Sequence, residues 1–171
     1  MKYVCISIHS TCQCKYWNYP NGWNEVVKYL NTKGYAVKHI SKEQGVYMGN
    51  YPPDDAEDCT GMSIPETMIL LKNSEFFIGI SSGLSWLSWG VGTPTVLISG
   101  FSAPFCEPTE GIERIHNPNV CNSCFNDPNI QFDPGDWNWC PRNKDFECSK
   151  AITPEMVIES IDRIIEQSHE S

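Results

Sequence analysis

Nine cysteines occur in this chain, and four of them gather late, Cys121 and Cys124 in "NVCNSCFND" and then Cys140 and Cys148 in "WCPRNKDFEC". Their spacing, Cys-x2-Cys-x15-Cys-x7-Cys, suits a metal knuckle. A Cys-x-x-Cys turn aims two thiolates at one ion, and two later cysteines complete a tetrahedron. Four thiolates suit zinc or a single iron, which softness and geometry do not separate. Such a shell leaves no open position for a substrate. Its expected role is structural, with one ion tying down residues 119–149, a stretch poor in apolar side chains. The competing reading is a redox or disulfide pair, but an odd count at irregular spacing speaks against a disulfide scaffold.

Two other stretches carry chemistry suited to an anion. In "GISSGLSW" (Gly79–Trp86) an apolar strand runs into Ser81 and Ser82, and Gly83 lets a ligand approach the backbone where a helix begins. Free N–H groups and the helix dipole favour a phosphate there. The alternative is that Ser81 only caps the helix and Gly83 serves packing. In "HSTCQCKYW" (His9–Trp17), Ser10 and Thr11 are hydroxyls at a strand end and Lys15 is the one cation. A lysine so placed can neutralise a diphosphate, or can be an ordinary solvated loop residue. His9 is expected to end its strand as a satisfied polar group. Cys12 and Cys14 flank the loop, too few by themselves for a metal. Cys5 reads as core, and Cys59 and Cys106 as unpaired. Trp137 and Trp139 are expected to pack over the knuckle.

The elements that must position these residues alternate. Apolar β-rich runs at Tyr3–Ser10, Tyr35–Ile40, Glu75–Ile80 and Thr93–Gly100 read as strands. Between them, Trp23, Val26, Val27 and Leu30 repeat at helical spacing up to Gly34, a second helix follows Ser63 as N-cap, and a third starts in the serine-glycine stretch. The twenty residues after Ile40 and the stretch after Gly100 read as loop. A last helix starts with Thr153 as cap and Pro154 at its first position, with Val157, Ile161, Ile164 and Ile165 on one face. Strand–helix alternation implies right-handed crossovers: an α/β, Rossmann-like parallel sheet with helices on both faces. Residues 1–171 are expected to form a single domain with the knuckle embedded. In such sheets ligands bind outside the carboxyl ends of the strands, where both serine-bearing junctions fall.

Composition excludes several function classes. The net charge is −9 with no basic stripe, which argues against nucleic acid. Asp54, Asp55, Glu57 and Asp58 read as a solvated acidic loop. No charge occurs from Phe76 to Cys106, but Gly, Ser and Pro break that run, so no membrane span is expected. The N-terminus lacks a signal-peptide pattern, and no Asn-x-Ser/Thr sequon occurs. The expected location is a reducing cytoplasm, with thiols free or on metal.

The motifs "QCKYWNYPNGW", "FFIGISSGLSWLSWGVGTPTVLISGF", "NPNVCNSCFND" and "WCPRNKDFEC", in this order, resemble the bacterial autotransporter heptosyltransferases, within the ADP-heptose-dependent glycosyltransferase family 9. The resemblance implies the C-terminal, donor-binding half of a two-domain GT-B glycosyltransferase, using an ADP-activated heptose to modify Ser or Thr hydroxyls of a surface adhesin in the cytoplasm. It implies donor-phosphate contacts from Ser10, Thr11, Lys15, Ser81, Ser82, Gly83 and Leu84. Met62 would lie against adenine, and Glu43 falls at an acidic ribose ligand. For the four cysteines it implies iron. The lipopolysaccharide branch has Asp-Thr-Gly-Leu-Ser-His where this chain has Ser81-Ser82-Gly83-Leu84-Ser85-Trp86, a change the autotransporter branch shares. The acceptor half with its general base is expected on a separate chain, or the active form as a homo-oligomer. The alternative function is a stand-alone, non-catalytic nucleotide or nucleotide-sugar binding module.

Overall fold

The computed structural model describes residues 1–131, 138 and 140–170. Six parallel strands form one sheet in the order β3-β2-β1-β4-β5-β6. They are β1 (Tyr3–Ile6), β2 (Ala36–His39), β3 (Glu57–Asp58), β4 (Phe77–Ile80), β5 (Thr95–Ile98) and β6 (Ile112–Ile115). The chain grows outward from β1 in one direction and then returns to β1's other side with β4. That reversal opens a crevice above the carboxyl ends of β1 and β4.

Alternation along each strand divides the core. Val4, Ile6, Ile78, Ile80, Val96 and Ile98 point to one face and meet α1 (Gly22–Thr32) and α5 (Pro154–Glu170), the helix after the one-turn α4 (Glu147–Lys150), through Val26, Val27, Leu30, Val157 and Ile161. Cys5 and Phe77 point to the other, against α2 (Ile64–Lys72) and α3 (Gly83–Gly90) through Leu71, Leu84 and Leu87. Helices thus cover both faces, as the parallel pattern requires.

Local signals act where expected. Ser63 closes a capping box, its hydroxyl accepting from the Glu66 N–H at 3.3 Å while the Ser63 N–H donates to the Glu66 carboxylate at 3.0 Å. Thr153 caps α5 by accepting from the Met156 N–H at 3.3 Å. Gly34, at φ +90°, turns the chain out of α1.

Three expectations need correction. The first strand ends at Ile6, and residues 7–10 continue irregularly toward the crevice. The stretch after Ile40 contains the two-residue edge strand β3, where Glu57 pairs with Lys38 of β2 at 3.2 Å. The stretch after Gly100 contains β6, whose "IERI" pairs with β5 from Thr95–Ile112 to Ile98–Ile115. Among the described residues no helix is long and apolar enough to cross a membrane.

Candidate functional site

Two lobes share the crevice. Ser10, Thr11, Lys15 and Ser81 line one of about 240 Å³, together with Glu43, Ser82 and Gly83. The last three also border the other, of about 440 Å³, where Met62, Leu84, Leu87 and Ile64 make the apolar wall and His9, Ser41, Lys42 and Thr67 add polar groups. All nine donor-site residues expected from sequence therefore meet in one place. One lobe is polar and suits a diphosphate. The other is mixed and suits a nucleoside, with few polar groups among apolar side chains.

The polar lobe is built from a helix start. Ser82 is the N-cap of α3, yet its side chain makes no capping bond. Its Oγ is buried without a hydrogen-bond partner among the described residues. Ser85 takes the anchoring role instead, its hydroxyl donating to the Ile80 carbonyl at 2.5 Å. A Cβ on Gly83 would meet nothing within 4 Å, so the space over the first helical N–H groups is open. An unpartnered hydroxyl at an open helix N-terminus is chemistry suited to an anion. Glu43 stands between the lobes, its carboxylate accepting from the Ser41 hydroxyl at 3.1 Å. A carboxylate there can accept from ribose hydroxyls.

Lys15 ends a 3-10 turn, Gln13–Lys15, whose Lys15 N–H donates to the Cys12 carbonyl at 3.0 Å. Its Nζ lies 4.9 Å from the centroid of the Phe125 ring. Phe125 belongs to the cysteine segment, next to Cys124, so that segment forms part of the lysine's seat. The segment in turn docks on the end of β5: the Ser123 N–H donates to the Gly100 carbonyl at 2.8 Å and the Phe125 N–H to the Phe101 carbonyl at 3.0 Å.

His9 is satisfied as expected, its Nε2 2.8 Å from the Gly45 carbonyl and its Nδ1 3.4 Å from the Tyr16 hydroxyl. It also stacks edge-on at 5.1 Å against His39 beneath the crevice. Burial, then the charge of His9, lowers His39 to about 4 from an ordinary 6.5, and Asp58 opposes this weakly. Folded protein thus holds His39 neutral. As pH falls from ~6.5 toward 4 the unfolded chain takes a proton that the folded chain refuses, and stability should drop by about 3 kcal/mol before levelling off. Thermal melts between pH 4 and 7 should show a steeper loss for the wild type than for His39→Gln; parallel curves would contradict the assignment.

All nine cysteines are free. Among the described residues no three of His, Cys, Asp and Glu are arranged to hold an ion. Cys121, Cys124, Cys140 and Cys148 nonetheless supply the donor chemistry that a structural ion takes. The Cys148 thiol is pushed up to about 12 by burial and then by Cys121, Cys124 and Cys140. Nitrogen donors already face two of them: Arg142 Nε is 3.2 Å from Cys124 Sγ, and the Phe146 N–H 3.5 Å from Cys140 Sγ. Such bonds stabilise thiolates bound to metal. Of the remaining cysteines, Cys5 is core, and Cys106 Sγ accepts from Asn126 at 3.0 Å. Trp137 and Trp139 lie outside the described residues.

Sequence reasoning missed Ser41, Lys42, Ile64, Thr67 and Leu87. Ser41 and Lys42 were findable, since they lie just beyond the carboxyl end of β2, and Leu87 follows Gly83 by one helical turn. Ile64 and Thr67 depend on how α2 leans over the sheet, which no local pattern reports.

Comparison with known proteins gives the same picture. Glycosyltransferase family 9 (heptosyltransferase) matches residues 1–127. The autotransporter heptosyltransferase BAHTCr of Citrobacter rodentium (strain ICC168) is 46% identical over 174 residues, covering 95% of this chain and 41% of that protein. The iron-containing dodecameric glycosyltransferase TibC from enterotoxigenic E. coli H10407 superposes with a TM-score of 0.92 at 42% identity, over 97% of this chain and 45% of that one. TibC has also been solved in complex with ADP-D-β-D-heptose. A third relative, BimC of Burkholderia thailandensis, is 33% identical over 93% of this chain and 39% of its own, and is an inactive autotransporter heptosyltransferase. The chain thus spans about two fifths of the length of these curated relatives. On the strength of that match, with a parallel sheet and a crevice at its switch point, the chain belongs to glycosyltransferase family 9, the heptosyltransferases.

Proposed function

We propose that this chain is the donor-binding half of a GT-B glycosyltransferase that holds an ADP-activated heptose for transfer to a hydroxyl, that of a protein Ser or Thr. The observation that carries this reading is the unpartnered Ser82 Oγ at the open start of α3, in the lobe that Lys15 also lines. When the glycosidic bond breaks, negative charge builds on the leaving diphosphate. Fixed N–H groups, a hydroxyl and an ammonium stabilise that charge without reorganising. Met62, Leu84 and Leu87 cover the base, and Glu43 holds the ribose. The acceptor hydroxyl must lose a proton to a base. Glu43 is the carboxylate of the crevice and is assigned to the sugar, so the base belongs in this reading to an acceptor-binding region or partner chain. The TibC complex supports an ADP-heptose donor, and its dodecamer supports assembly of copies.

Cys121, Cys124, Cys140 and Cys148 would hold one structural ion, iron by analogy with iron-containing TibC and zinc as the alternative. Bound there, the metal supplies a rigid cross-link and no reactive position. The proposed location is the cytoplasm, where an odd and irregularly spaced set of nine cysteines stays reduced or on metal. Inactive BimC favours one second reading, a module that binds the nucleotide sugar without catalysis.

A thermal-shift screen of ADP-, UDP- and GDP-sugars on metal-replete protein tests the donor. ADP-sugars at 100 times Kd should stabilise by about 2.7 kcal/mol, and equal shifts from all three, or none, would reject the reading. Lys15→Ala should weaken ADP binding by roughly 1.5–3 kcal/mol, the scale of a charge-assisted contact. Calorimetry giving unchanged affinity would remove Lys15 from the site.

A further inference from the structure

Two thiols beside the crevice belong to neither site. Cys12 and Cys14 are buried, and their sulfurs lie 2.7 Å apart. They sit against Phe101 and Cys124, on the inner side of the 3-10 turn that ends in Lys15. Because the Lys15 N–H is bound to the Cys12 carbonyl at 3.0 Å, the backbone that carries the two sulfurs also aims the ammonium.

We propose that Cys12 and Cys14 form a reversible disulfide when exposed to a hydroperoxide, and that this bond withdraws Lys15 from the donor crevice. One thiolate attacks the peroxide O–O bond and becomes a sulfenic acid, releasing hydroxide. The second attacks that sulfur, the S–S bond forms and the S–O bond breaks, releasing a second hydroxide. With the two thiol protons the balance is two thiols and one hydrogen peroxide to one disulfide and two waters. Two electrons pass from sulfur to oxygen. A dithiol reductant reverses the step by exchange.

Geometry favours this pair over the other cysteines. A disulfide holds its sulfurs at ~2 Å, so these need to close by less than ~1 Å. The ring runs through Gln13 alone, so its dihedral demands fall on the turn's backbone and no long loop absorbs them. Lys15 is the next residue. Both thiols are buried while Thr11 is exposed and Gln13 half-buried, a setting that admits a small peroxide and excludes a bulky disulfide.

The consequence for binding rests on the donor-site reading; the chemistry does not. Metal-replete protein is treated with hydrogen peroxide, digested and fragmented, because the peptide through Lys15 also holds Cys5. The expected result is a loss of two hydrogens placed between residues 12 and 14. ADP affinity by calorimetry should fall by at least ~tenfold and recover with dithiothreitol. The double variant Cys12→Ser, Cys14→Ser should bind ADP like reduced wild type and ignore peroxide, and the single variant Cys14→Ala should do the same. Absence of the 12–14 cross-link overturns the proposal, as does a cross-link that leaves affinity unchanged. A bound metal lost in the double variant overturns it in favour of ligation. If reduced wild type binds no ADP, the donor-site reading fails and the switch with it, while the fragment masses still decide the disulfide.

Discussion

Arg114→Leu is expected to lower folding stability by about 3–5 kcal/mol, the loss that follows when one member of a buried ion pair is removed. Glu107 is only 3% exposed. Arg114 of β6 donates through Nε to its Oε1 at 2.8 Å, and Ser99 donates to its Oε2 at 2.6 Å. The same guanidinium donates to the Ser102 carbonyl at 3.2 Å, so it binds β6 to the segment leaving β5. Leucine would leave the Glu107 charge buried with a hydroxyl alone. Changing both partners together, Arg114→Leu with Glu107→Met, should restore much of the loss, because the pair's desolvation vanishes with it. Urea unfolding of the singles and the double measures this. A single-variant loss below ~1 kcal/mol would mean that solvent screens the pair.

The second large effect concerns the cysteines. In the proposed knuckle, Cys140→Ser should abolish metal binding, against one ion expected per wild-type chain, and unfold residues 119–131 and 140–149 locally. Structural thiolate sites bind with apparent free energies of about 10–16 kcal/mol, so losing one ligand removes more than this segment's own contacts can replace. The main core should survive, since its buried residues come from the sheet, α1, α5 and their flanks. Amide exchange should therefore rise in 119–131 and 140–149 while β1, β4 and β5 stay protected. ADP affinity should also fall, because Phe125 leaves its place beside Lys15. Elemental analysis without metal, with thermal stability unchanged in the variant, would defeat the knuckle.

Much of the crevice was legible because it sits where chain chemistry changes abruptly. Ser81–Gly83 follow a fully buried strand, and Ser10, Thr11 and Lys15 follow another, so a parallel sheet had to place both beside one opening. The capping box at Ser63 and the cap at Thr153 were legible for a similar reason: their hydrogen bonds are local. What escaped was set by distant contacts. β6 reads Ile-Glu-Arg-Ile, short and charged, and becomes a strand because β5 offers it an edge. β3 is only two residues and depends on β2 in the same way. Glu107 and Arg114, seven residues apart, gave no sign of pairing, because their burial comes from segments that neither residue specifies. The seat of Lys15 on Phe125 likewise joins residues 110 positions apart.

Crystals of the metal-replete chain soaked with ADP-D-β-D-heptose give the most direct test. Density for the diphosphate should lie between Ser10, Thr11 and Lys15 on one side and the Ser82–Gly83 start of α3 on the other, with Ser82 Oγ on a phosphate oxygen. A crevice left empty while the nucleotide binds elsewhere, or filled by the protein's own side chains, would leave the fold standing and end its assignment as a donor site.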